Sequence, residues 1–386
     1  MKKTIAILGA TGSVGTQAVS VAKAKGYEVD LLTGDSNVRL MEQLARELKP
    51  REVVMANESA ALDLRQRLCD TDICVRGGGY GILSAIAHSG AETVVNAILG
   101  QAGLLPTLGV INEGKRLALA NKESLVIAGE MIMRLARERN VEVIPVDSEH
   151  SAIFQALKSG KPSEIKRIIL TASGGPFFGK TKEQLRSVTL SDTLAHPTWK
   201  MGRKITVDSA TLMNKGYEVI EAAHLFGVSP EQIEVVIHRE SILHSAVEYI
   251  DNTVIGELSV PDMRGCVQYA VDYPDRTEGC MEPLDLFKVG SLSFAKPDFE
   301  AFPLLSLASR ALSDGGAMPA VVNAADEVAV SAFLEGRIAF SAIPEIVTEV
   351  YSACGEAKAE RTLEGTIEID RITRERANAL VTEWEI

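Results

Sequence analysis

The sequence has few of the features that secreted or membrane proteins need. Its five cysteines are scattered, with no CxxC pair, and this usage favours reduced thiols over a disulfide framework. The apolar run at residues 4–8 is too short for a signal peptide or a membrane span. We therefore expect a cytoplasmic protein that has no membrane segment, with residues 4–8 as the first strand of its fold.

Basic residues are fewer than acidic residues in this chain. The chain has 40 lysines and arginines against 52 aspartates and glutamates, which gives a formal net charge of −12. This balance argues against binding to nucleic acid or to an anionic membrane. A hydrophobic fraction of 46% over 386 residues is ordinary for a globular protein of two or three domains. A phosphorylated ligand would therefore require a local collection of cations in its site.

Short apolar runs alternate with helical stretches in the first part of the chain. This alternation predicts an α/β fold with a Rossmann-like, doubly wound parallel sheet over residues 1–146. Residues 147–273 mix strands with helices and predict a central α+β catalytic domain. Residues 274–303 contain several prolines and are interpreted as a linker. Helical periodicity over residues 304–312, 318–334 and 343–350 predicts a C-terminal α-helical domain at residues 304–386.

A glycine-rich turn follows the first predicted strand and opens a helix. Its sequence is GATGSVG, at residues 9–15. In this context, backbone N–H groups and the N-terminus of the helix are suited to receive a pyrophosphate. The match to GxGxxG is incomplete because Ala10 occupies the place of the first glycine. A tight turn that binds no ligand therefore stays open as an alternative.

The end of the second predicted strand is where the ribose of a dinucleotide would lie. Asp35 is placed to accept a hydrogen bond from the 2′-hydroxyl of NAD, whereas Ser36, Asn37 and Arg39 suit the 2′-phosphate of NADP. The residue types alone leave the two coenzymes undecided.

Two acids follow the predicted strand at residues 141–146. If the extended backbone continues, Asp147 and Glu149 point to the same side and can face one ion. Carboxylate oxygens suit Mg²⁺ or Mn²⁺ rather than a thiolate-binding metal. The competing interpretation is a solvated pair of acids at a strand end.

A third acid, Glu218, falls in a predicted helix from about residue 209 to residue 226. Asn214 precedes it by four residues and Lys215 by three, so all three side chains share one face of that helix. The alternative is a solvated helix face without a ligand.

Hydroxyl groups and cations that suit a phosphate lie in several loops. Residues 171–175 form a glycine-containing nest at a strand end, which includes Ser173. Ser209 and Lys122 add a further hydroxyl and a further cation. The string HPTW at residues 196–199 places a tryptophan in a polar loop, and we interpret this loop as either a lid or a segment pinned to the core.

Seven strings together resemble the 1-deoxy-D-xylulose 5-phosphate reductoisomerase family. They are GATGSVG, LANKESLV, PVDSEHSAIFQ, TASGGPF, HPTWKMGRKITVDSATLMNKGYEVIEA, PLDL and NAADEVAV, in collinear order over nearly the whole chain. The resemblance implies a V-shaped homodimer whose subunit has an NADPH domain, a catalytic domain with a lid loop near residues 196–204, and a helical C-terminal domain. The implied reaction is the NADPH-dependent rearrangement and reduction of 1-deoxy-D-xylulose 5-phosphate to 2-C-methyl-D-erythritol 4-phosphate, with Mg²⁺, Mn²⁺ or Co²⁺. This is the first committed step of the non-mevalonate isoprenoid precursor pathway.

The same resemblance implies a role for individual residues. The metal would bind to Asp147, Glu149 and Glu218, which with Lys122 form the catalytic set. The implied contacts to the sugar phosphate are Lys122, Ser148, Glu149, Ser173, His196, Trp199, Ser209, Asn214, Lys215 and Glu218. The implied contacts to NADPH are Thr11, Gly12, Ser13, Val14, Asn37, Asn121, Glu123 and Gly202.

This chain departs from the family pattern in three places. The coenzyme-selecting loop often carries a basic residue where this chain has Asp35 and Ser36. Residues 238–241 read HRES where the family usually reads HPQS, and Asp326 replaces an asparagine. Two other functions stay open as alternatives: a different Rossmann oxidoreductase that acts on another phosphorylated or acidic substrate, and a non-catalytic NADP-binding regulator.

Overall fold

The computed structural model describes residues 3–199, 201–355, 357 and 362–385. The chain forms two compact units. Unit 1 comprises Met1–Ser124, Glu130–Phe154 and Asp262–Pro283, and unit 2 comprises Leu125–Gly129, Gln155–Pro261 and Leu284–Ile386.

Strands and helices alternate strictly from the first strand to the seventh. The elements are β1 (Thr4–Leu8), α1 (Ser13–Lys25), β2 (Glu28–Gly34), α2 (Val38–Leu48), β3 (Glu52–Met55), α3 (Glu58–Arg67), β4 (Cys74–Gly77), α4 (Gly79–His88), β5 (Thr93–Asn96), α5 (Leu104–Asn112), β6 (Arg116–Leu119), α6 (Lys122–Arg139), β7 (Val143–Pro145) and α7 (Ser148–Ala156).

The seven strands of unit 1 form one parallel sheet in the order β4-β3-β2-β1-β5-β6-β7. The strand order reverses at β1, which pairs with β2 on one side and with β5 on the other. Ligands of such sheets bind at this reversal, outside the carboxyl ends of the strands. The central strands are apolar runs buried on both faces, as parallel strands covered by helices must be. The predicted Rossmann-like sheet is confirmed.

The remaining elements follow from residue 165 onward. They are β8 (Ile165–Ala172), α8 (Lys182–Leu185), α9 (Leu190–Thr193), α10 (Arg203–Ala210), α11 (Met213–Phe226), β9 (Ile233–Ile237), β10 (Leu243–Tyr249), β11 (Val254–Leu258), α12 (Met263–Asp272), α13 (Leu286–Val289), α14 (Pro303–Asp314), α15 (Met318–Leu334), α16 (Ala342–Ala353) and α17 (Leu363–Glu383).

Unit 2 combines a four-stranded sheet with the C-terminal helices. The strand order is β11-β10-β8-β9, with a parallel β8–β9 pair and two antiparallel pairs. Helix α15 lies at the centre of the C-terminal group and packs on α14, α16 and α17. The predicted α+β region and helical C-terminal region are thus both present. Within the described part of the chain, every helix is too short or too polar to cross a membrane.

Two local predictions near the site are wrong. Asp147 and Glu149 do not continue a strand: helix α7 begins at Ser148, and the backbone N–H of Ser151 donates to the Asp147 carbonyl at 2.8 Å. The predicted helix from residue 209 to residue 226 is two helices. They are separated at Leu212, whose φ of 58° is left-handed, so Ser209 lies on α10 while Glu218 lies on α11.

Candidate active site

The glycine turn after β1 is shaped by close backbone approaches. Gly9 has a φ of 77°, and a Cβ there would lie 2.6 Å from the Ala97 carbonyl oxygen. A Cβ at Gly15 would lie 2.1 Å from the Gly9 carbonyl oxygen. Only glycine therefore lets α1 start so close to the turn. Gly12 occupies the N-cap of α1, and the first turn of that helix carries no acidic residue, which leaves its N-terminus suited to an anion.

The other predicted coenzyme residues of unit 1 also lie at the carboxyl edge of the sheet. Thr11, Ser13 and Val14 belong to the glycine turn and to the first turn of α1. Asn37 caps α2 and accepts a hydrogen bond from the Leu40 N–H at 3.2 Å. This group surrounds the strand reversal, where a dinucleotide binds in this type of sheet.

Asn121 caps α6 at the end of β6. Its side-chain amide donates to the Glu123 carboxylate at 2.9 Å and to the Gly100 carbonyl at 2.9 Å. Both side chains are buried. Gly202, the remaining predicted coenzyme residue, is the N-cap of α10 in unit 2.

Asp147 forms the strongest ion pair of the site in unit 1. Its Oδ2 lies 2.5 Å from the Lys122 Nζ, and its Oδ1 lies 3.5 Å from the His150 Nδ1. Burial opposes ionisation of Asp147, but the Lys122 ammonium and His150 outweigh it and hold the pKa of this carboxyl well below its usual range. Asp147 is therefore an anion at any physiological pH.

Glu149 extends the acidic group of unit 1. Carboxylate oxygens of Asp147 and Glu149 lie within 4.8 Å of one another, a spacing that one hard cation can bridge. The Ser148 hydroxyl donates to Glu149 Oε2, and the Glu149 N–H donates to Asp147 Oδ1 at 3.4 Å. The predicted pairing of the two acids is confirmed, although a helix N-terminus produces it and not a strand.

Glu218 is a buried acid of unit 2, with 1% of its surface exposed. The Asn214 side-chain amide donates to its Oε1 at 2.6 Å, and the Lys215 ammonium donates to its Oε2. The predicted shared face of Asn214, Lys215 and Glu218 is confirmed. A solvated helix face is excluded because Lys215 and Glu218 are both buried.

The loop after β8 lies beside α10. A Cβ at Gly175 would meet the Ser209 carbonyl oxygen at 2.5 Å, so only glycine permits this approach. The Gly175 N–H donates to Ser173 Oγ at 3.3 Å. The loop and the two helices thus bring hydroxyl, amide and ammonium donors into one unit. We call Ser173, Ser209, Asn214 and Lys215 the donor cradle.

His196 connects this loop to the predicted lid. Its Nδ1 accepts hydrogen bonds from the backbone N–H groups of Thr198 (3.2 Å) and Trp199 (2.9 Å), and its Nε2 lies 3.0 Å from Ser173 Oγ. Because Nδ1 accepts, Nε2 carries the proton of the neutral ring and donates to Ser173. Burial, aided by the Arg239 cation, lowers the pKa of His196 to about 4.

Trp199 is half-buried, with its ring centroid 6.2 Å from that of His244. The predicted lid at residues 196–204 includes Lys200, which lies outside the described residues. The remainder forms a loop up to Gly202 and the first two residues of α10.

Three further residues shape the site and are not among the predicted site residues. Thr33 Oγ1 accepts a hydrogen bond from the Gly9 N–H at 3.0 Å and so fixes the glycine turn from β2. His244 lies against the Trp199 ring, and Arg239 influences the His196 imidazole. A histidine in a strand and an arginine in a loop have too many ordinary uses to be identified by type alone.

Family profiles match most of the chain. One described as 1-deoxy-D-xylulose 5-phosphate reductoisomerase matches residues 5–129, and its two C-terminal-domain profiles match residues 143–226 and residues 258–376. Two curated relatives, both named 1-deoxy-D-xylulose 5-phosphate reductoisomerase, match at full length. The protein of Caldanaerobacter subterraneus is 50% identical over 97% of this chain and 98% of its own length. The protein of Acetivibrio thermocellus is 48% identical over 99% of this chain and 100% of its own length.

Solved structures are similar over the same length. The Zymomonas mobilis reductoisomerase in complex with NADPH is 39% identical, with a TM-score of 0.92 and 99% of each chain covered. A DOX-P reductoisomerase in complex with NADPH, fosmidomycin and magnesium is 37% identical, with a TM-score of 0.91 and 98% of each chain covered.

Proposed function

Because this chain belongs to the 1-deoxy-D-xylulose 5-phosphate reductoisomerase family, we propose that the residues described above carry the reaction of that family. The chain is an oxidoreductase that converts 1-deoxy-D-xylulose 5-phosphate into 2-C-methyl-D-erythritol 4-phosphate with NADPH, in isoprenoid synthesis. Its cofactors are NADPH and a divalent cation such as magnesium. The observation that carries this conclusion is the full-length relationship to enzymes of this name, at 50% identity.

The glycine turn fits NADPH. Its close backbone approaches leave no room for a Cβ at Gly9 or Gly15, and α1 directs unpaired N–H groups to the strand reversal. We assign the pyrophosphate and ribose contacts to Thr11, Gly12, Ser13, Val14 and Asn37.

The nicotinamide half of the coenzyme needs contacts further along the chain. We assign these to Asn121, Glu123 and Gly202. The side chains of Asn121 and Glu123 are fixed to each other by a hydrogen bond, so both are held in place before the coenzyme arrives.

The side chains of Asp147, Glu149 and Glu218 fit a hard cation, because each offers carboxylate oxygens as metal ligands. We assign the metal to Asp147, Glu149 and Glu218. The low pKa of Asp147 keeps one ligand ionised without any metal. When bound, the cation supplies Lewis-acid polarisation of the substrate oxygens and NADPH supplies the reducing equivalent.

The residues of the chain orient the substrate for this chemistry. The donor cradle binds the phosphate through hydroxyl, amide and ammonium groups, while Ser148 and Lys122 donate to oxygens near the reacting carbons. Neutral His196 donates through Nε2 and Trp199 excludes water as the loop closes.

The assembly and the cell compartment are part of the same proposal. A homodimer is supported by apolar residues of unit 2 that are exposed in the single chain: Val254 and Leu258 on edge strand β11, and Leu286 and Phe287 on α13. We also propose a cytoplasmic location and the domain division at residues 1–146, 147–273, 274–303 and 304–386.

The direct test mixes the purified protein with NADPH, Mg²⁺ and 1-deoxy-D-xylulose 5-phosphate. Loss of absorbance at the nicotinamide band and formation of 2-C-methyl-D-erythritol 4-phosphate are expected. Oxidation of NADPH with another sugar phosphate, but not with this one, would instead favour a different Rossmann oxidoreductase.

Glu149→Gln tests the metal assignment. The amide keeps the shape of the side chain but removes its charge, so we expect kcat to fall by about 10³-fold with an unchanged circular dichroism spectrum. Glu142→Gln, an exposed acid on the same unit that pairs with Arg116, is the matched control. Activity of Glu149→Gln within a few-fold of the wild type would refute the assignment.

A further inference from the structure

A buried polar cluster in unit 2 is not used by the reaction described above. It consists of Lys204 and Asp208 on α10, Tyr217 on α11 and Asp326 on α15. Asp208 and Asp326 are 2% and 0% exposed.

Asp326 is contacted from both helices that carry the donor cradle. The Tyr217 hydroxyl on α11 donates to its Oδ2 at 2.8 Å. The Lys204 Nζ on α10 lies 3.7 Å from the same oxygen and 2.8 Å from Asp208 Oδ2. The C-terminal helix α15 is therefore tied through one carboxyl group to α10 and α11 together.

The second oxygens of the two aspartates are the unusual feature. Oδ1 of Asp208 and Oδ1 of Asp326 are buried and lack a hydrogen-bond donor among the described residues. Both carboxyl groups lie beside the same Lys204 ammonium, at 2.8 Å and 3.7 Å. Two ionised carboxylates only accept hydrogen bonds, but a proton held by the pair would turn one of these oxygens into a donor.

Charges on the neighbouring helices also favour such a proton. Glu327, next to Asp326, pairs with Arg374 on α17 at 2.6 Å, and Arg374 also pairs with Asp370 at 2.7 Å. The neighbourhood therefore contains two cations and four acids. The cations are Lys204 and Arg374, and the acids are Asp208, Asp326, Glu327 and Asp370. Burial disfavours this excess of negative charge.

Three polar residues of α14 and α16, the other helices packed on α15, contact one another. Arg310 of α14 lies over the ring of Tyr351 on α16, and the Tyr351 hydroxyl donates to Asp314.

The pKa shifts agree with this arrangement. Burial raises the pKa of Asp208 to about 8, against the opposing effect of Lys204 and with a further contribution from Asp326. Burial likewise raises the pKa of Asp326.

We propose that Asp326 is a positioning residue for phosphate binding: by sharing one proton with Asp208 beside the Lys204 ammonium, it fixes the angle between α10 and α11. This inference rests on the proposed role of the donor cradle. Ser209 follows Asp208 directly on α10, whereas Asn214 and Lys215 lie on α11 beyond the break at Leu212. The two halves of the cradle thus need an external support, and Asp326 contacts both of the helices that carry them.

The proposal predicts a specific dependence on pH. Loss of the shared proton leaves two adjacent carboxylates for one ammonium, which loosens the support and weakens substrate binding. With a pKa near 8, the KM for the sugar phosphate should rise by up to about 10-fold between pH 7 and pH 9, while kcat changes by less. In the variant Asp326→Asn the amide donates permanently, and the rise should disappear.

Stability provides a readout that does not depend on activity. A carboxyl group whose pKa is raised on folding stabilises the folded state at low pH and loses that effect as pH rises from about 4 to about 8. The Tm of the wild type should therefore fall between pH 6 and pH 9 more steeply than that of Asp326→Asn. Glu248→Gln, which replaces another buried acid of unit 2, paired with Lys166 and Arg167, should follow the wild type in both measurements.

The pH profiles of Tm and of KM test different parts of the proposal. Identical Tm profiles for the wild type and Asp326→Asn would overturn the shared proton. Different Tm profiles with identical KM profiles would overturn the positioning role. If Asp326→Asn does not fold, Asp208→Asn provides the same comparison from the other carboxyl. An absence of turnover with this substrate would count against the proposed function, while the Tm profiles would still test the proton.

Discussion

Asp147 in unit 1 and Asp208 in unit 2 are both largely buried aspartates that lie beside a lysine, yet their pKa values shift in opposite directions. The Asp147 side chain is 13% exposed and lies 2.5 Å from Lys122, and its pKa is well below the usual range. The Asp208 side chain is 3% exposed and lies 2.8 Å from Lys204, and its pKa rises to about 8.

The difference lies in the charges that surround each aspartate. Lys122 and His150 both favour the ionised form of Asp147, whereas the acids Asp326 and Glu327 oppose ionisation of Asp208 and act against Lys204. Lys204 is shared between Asp208 and Asp326, so one ammonium cannot offset the burial of two carboxylates. The first arrangement keeps an anion ready for a cation, whereas the second retains a proton.

The strongest test of this comparison is Lys122→Met. It removes the charge partner of Asp147 and a donor to the substrate, so we expect kcat/KM to fall by about 10²–10³-fold. The metal-free variant should also unfold more readily at pH 7, and Mg²⁺ should restore part of the loss because it replaces the missing positive charge. Lys23→Met, at an exposed lysine paired with Glu47, is the control. A variant that is equally stable with and without Mg²⁺, while the wild type responds to it, would contradict this explanation.

Lys204→Met is the parallel change in unit 2. Both carboxyl groups should then take up protons, which limits the loss of unfolding free energy to about 1–3 kcal/mol. Because the pKa values rise further, the loss should be larger at pH 8 than at pH 5, and Mg²⁺ should not reverse it. Chemical denaturation at both pH values measures the effect, with Lys166→Met as the surface control. A loss that is independent of pH would show that Lys204 acts only through packing.

Arg239→Gln should have the smallest effect of the three substitutions. It removes the cation that influences the pKa of His196. Burial is the larger cause of the low pKa of His196, and the Arg239 cation adds to it. We expect the variant to raise this pKa from about 4 by at most about half a unit. An NMR titration of the His196 ring measures the shift, and Arg276→Gln in unit 1 should leave it unchanged. A fall in the pKa would mean that Arg239 does not act through its charge.

The sequence predicted the sheet of unit 1 well for a physical reason. Parallel strands covered by helices on both faces are continuous apolar runs, and β1, β3 and β5 read as such. Helix α17 is not evident from the sequence pattern, because its buried face is partly polar. Thr366, Asp370 and Thr373 lie inward together with Ala377 and Val381, so hydrophobic periodicity does not mark this helix.

The sequence indicates candidate site residues by their types, but it does not indicate their local geometry. The residue types of Asp147, Glu149 and Glu218 indicated carboxylate ligands, but neither the helix start at Ser148 nor the break at Leu212 was visible in the pattern. A left-handed leucine costs about 1–2 kcal/mol, and nothing local in the sequence favours it. The contact of Asp326 with α10 joins residues more than a hundred positions apart, which no local pattern can indicate.

The glycine turn has a consequence for redesign of this enzyme. Gly9 and Gly15 are fixed by backbone contacts that no other residue tolerates, so the turn to which we assign the pyrophosphate cannot be varied at these two positions. Asp35 and Ser36, by contrast, lie exposed beyond β2 and bond to each other. Laboratory evolution of coenzyme choice should therefore accumulate substitutions at positions 35 and 36 while both glycines persist in every surviving variant.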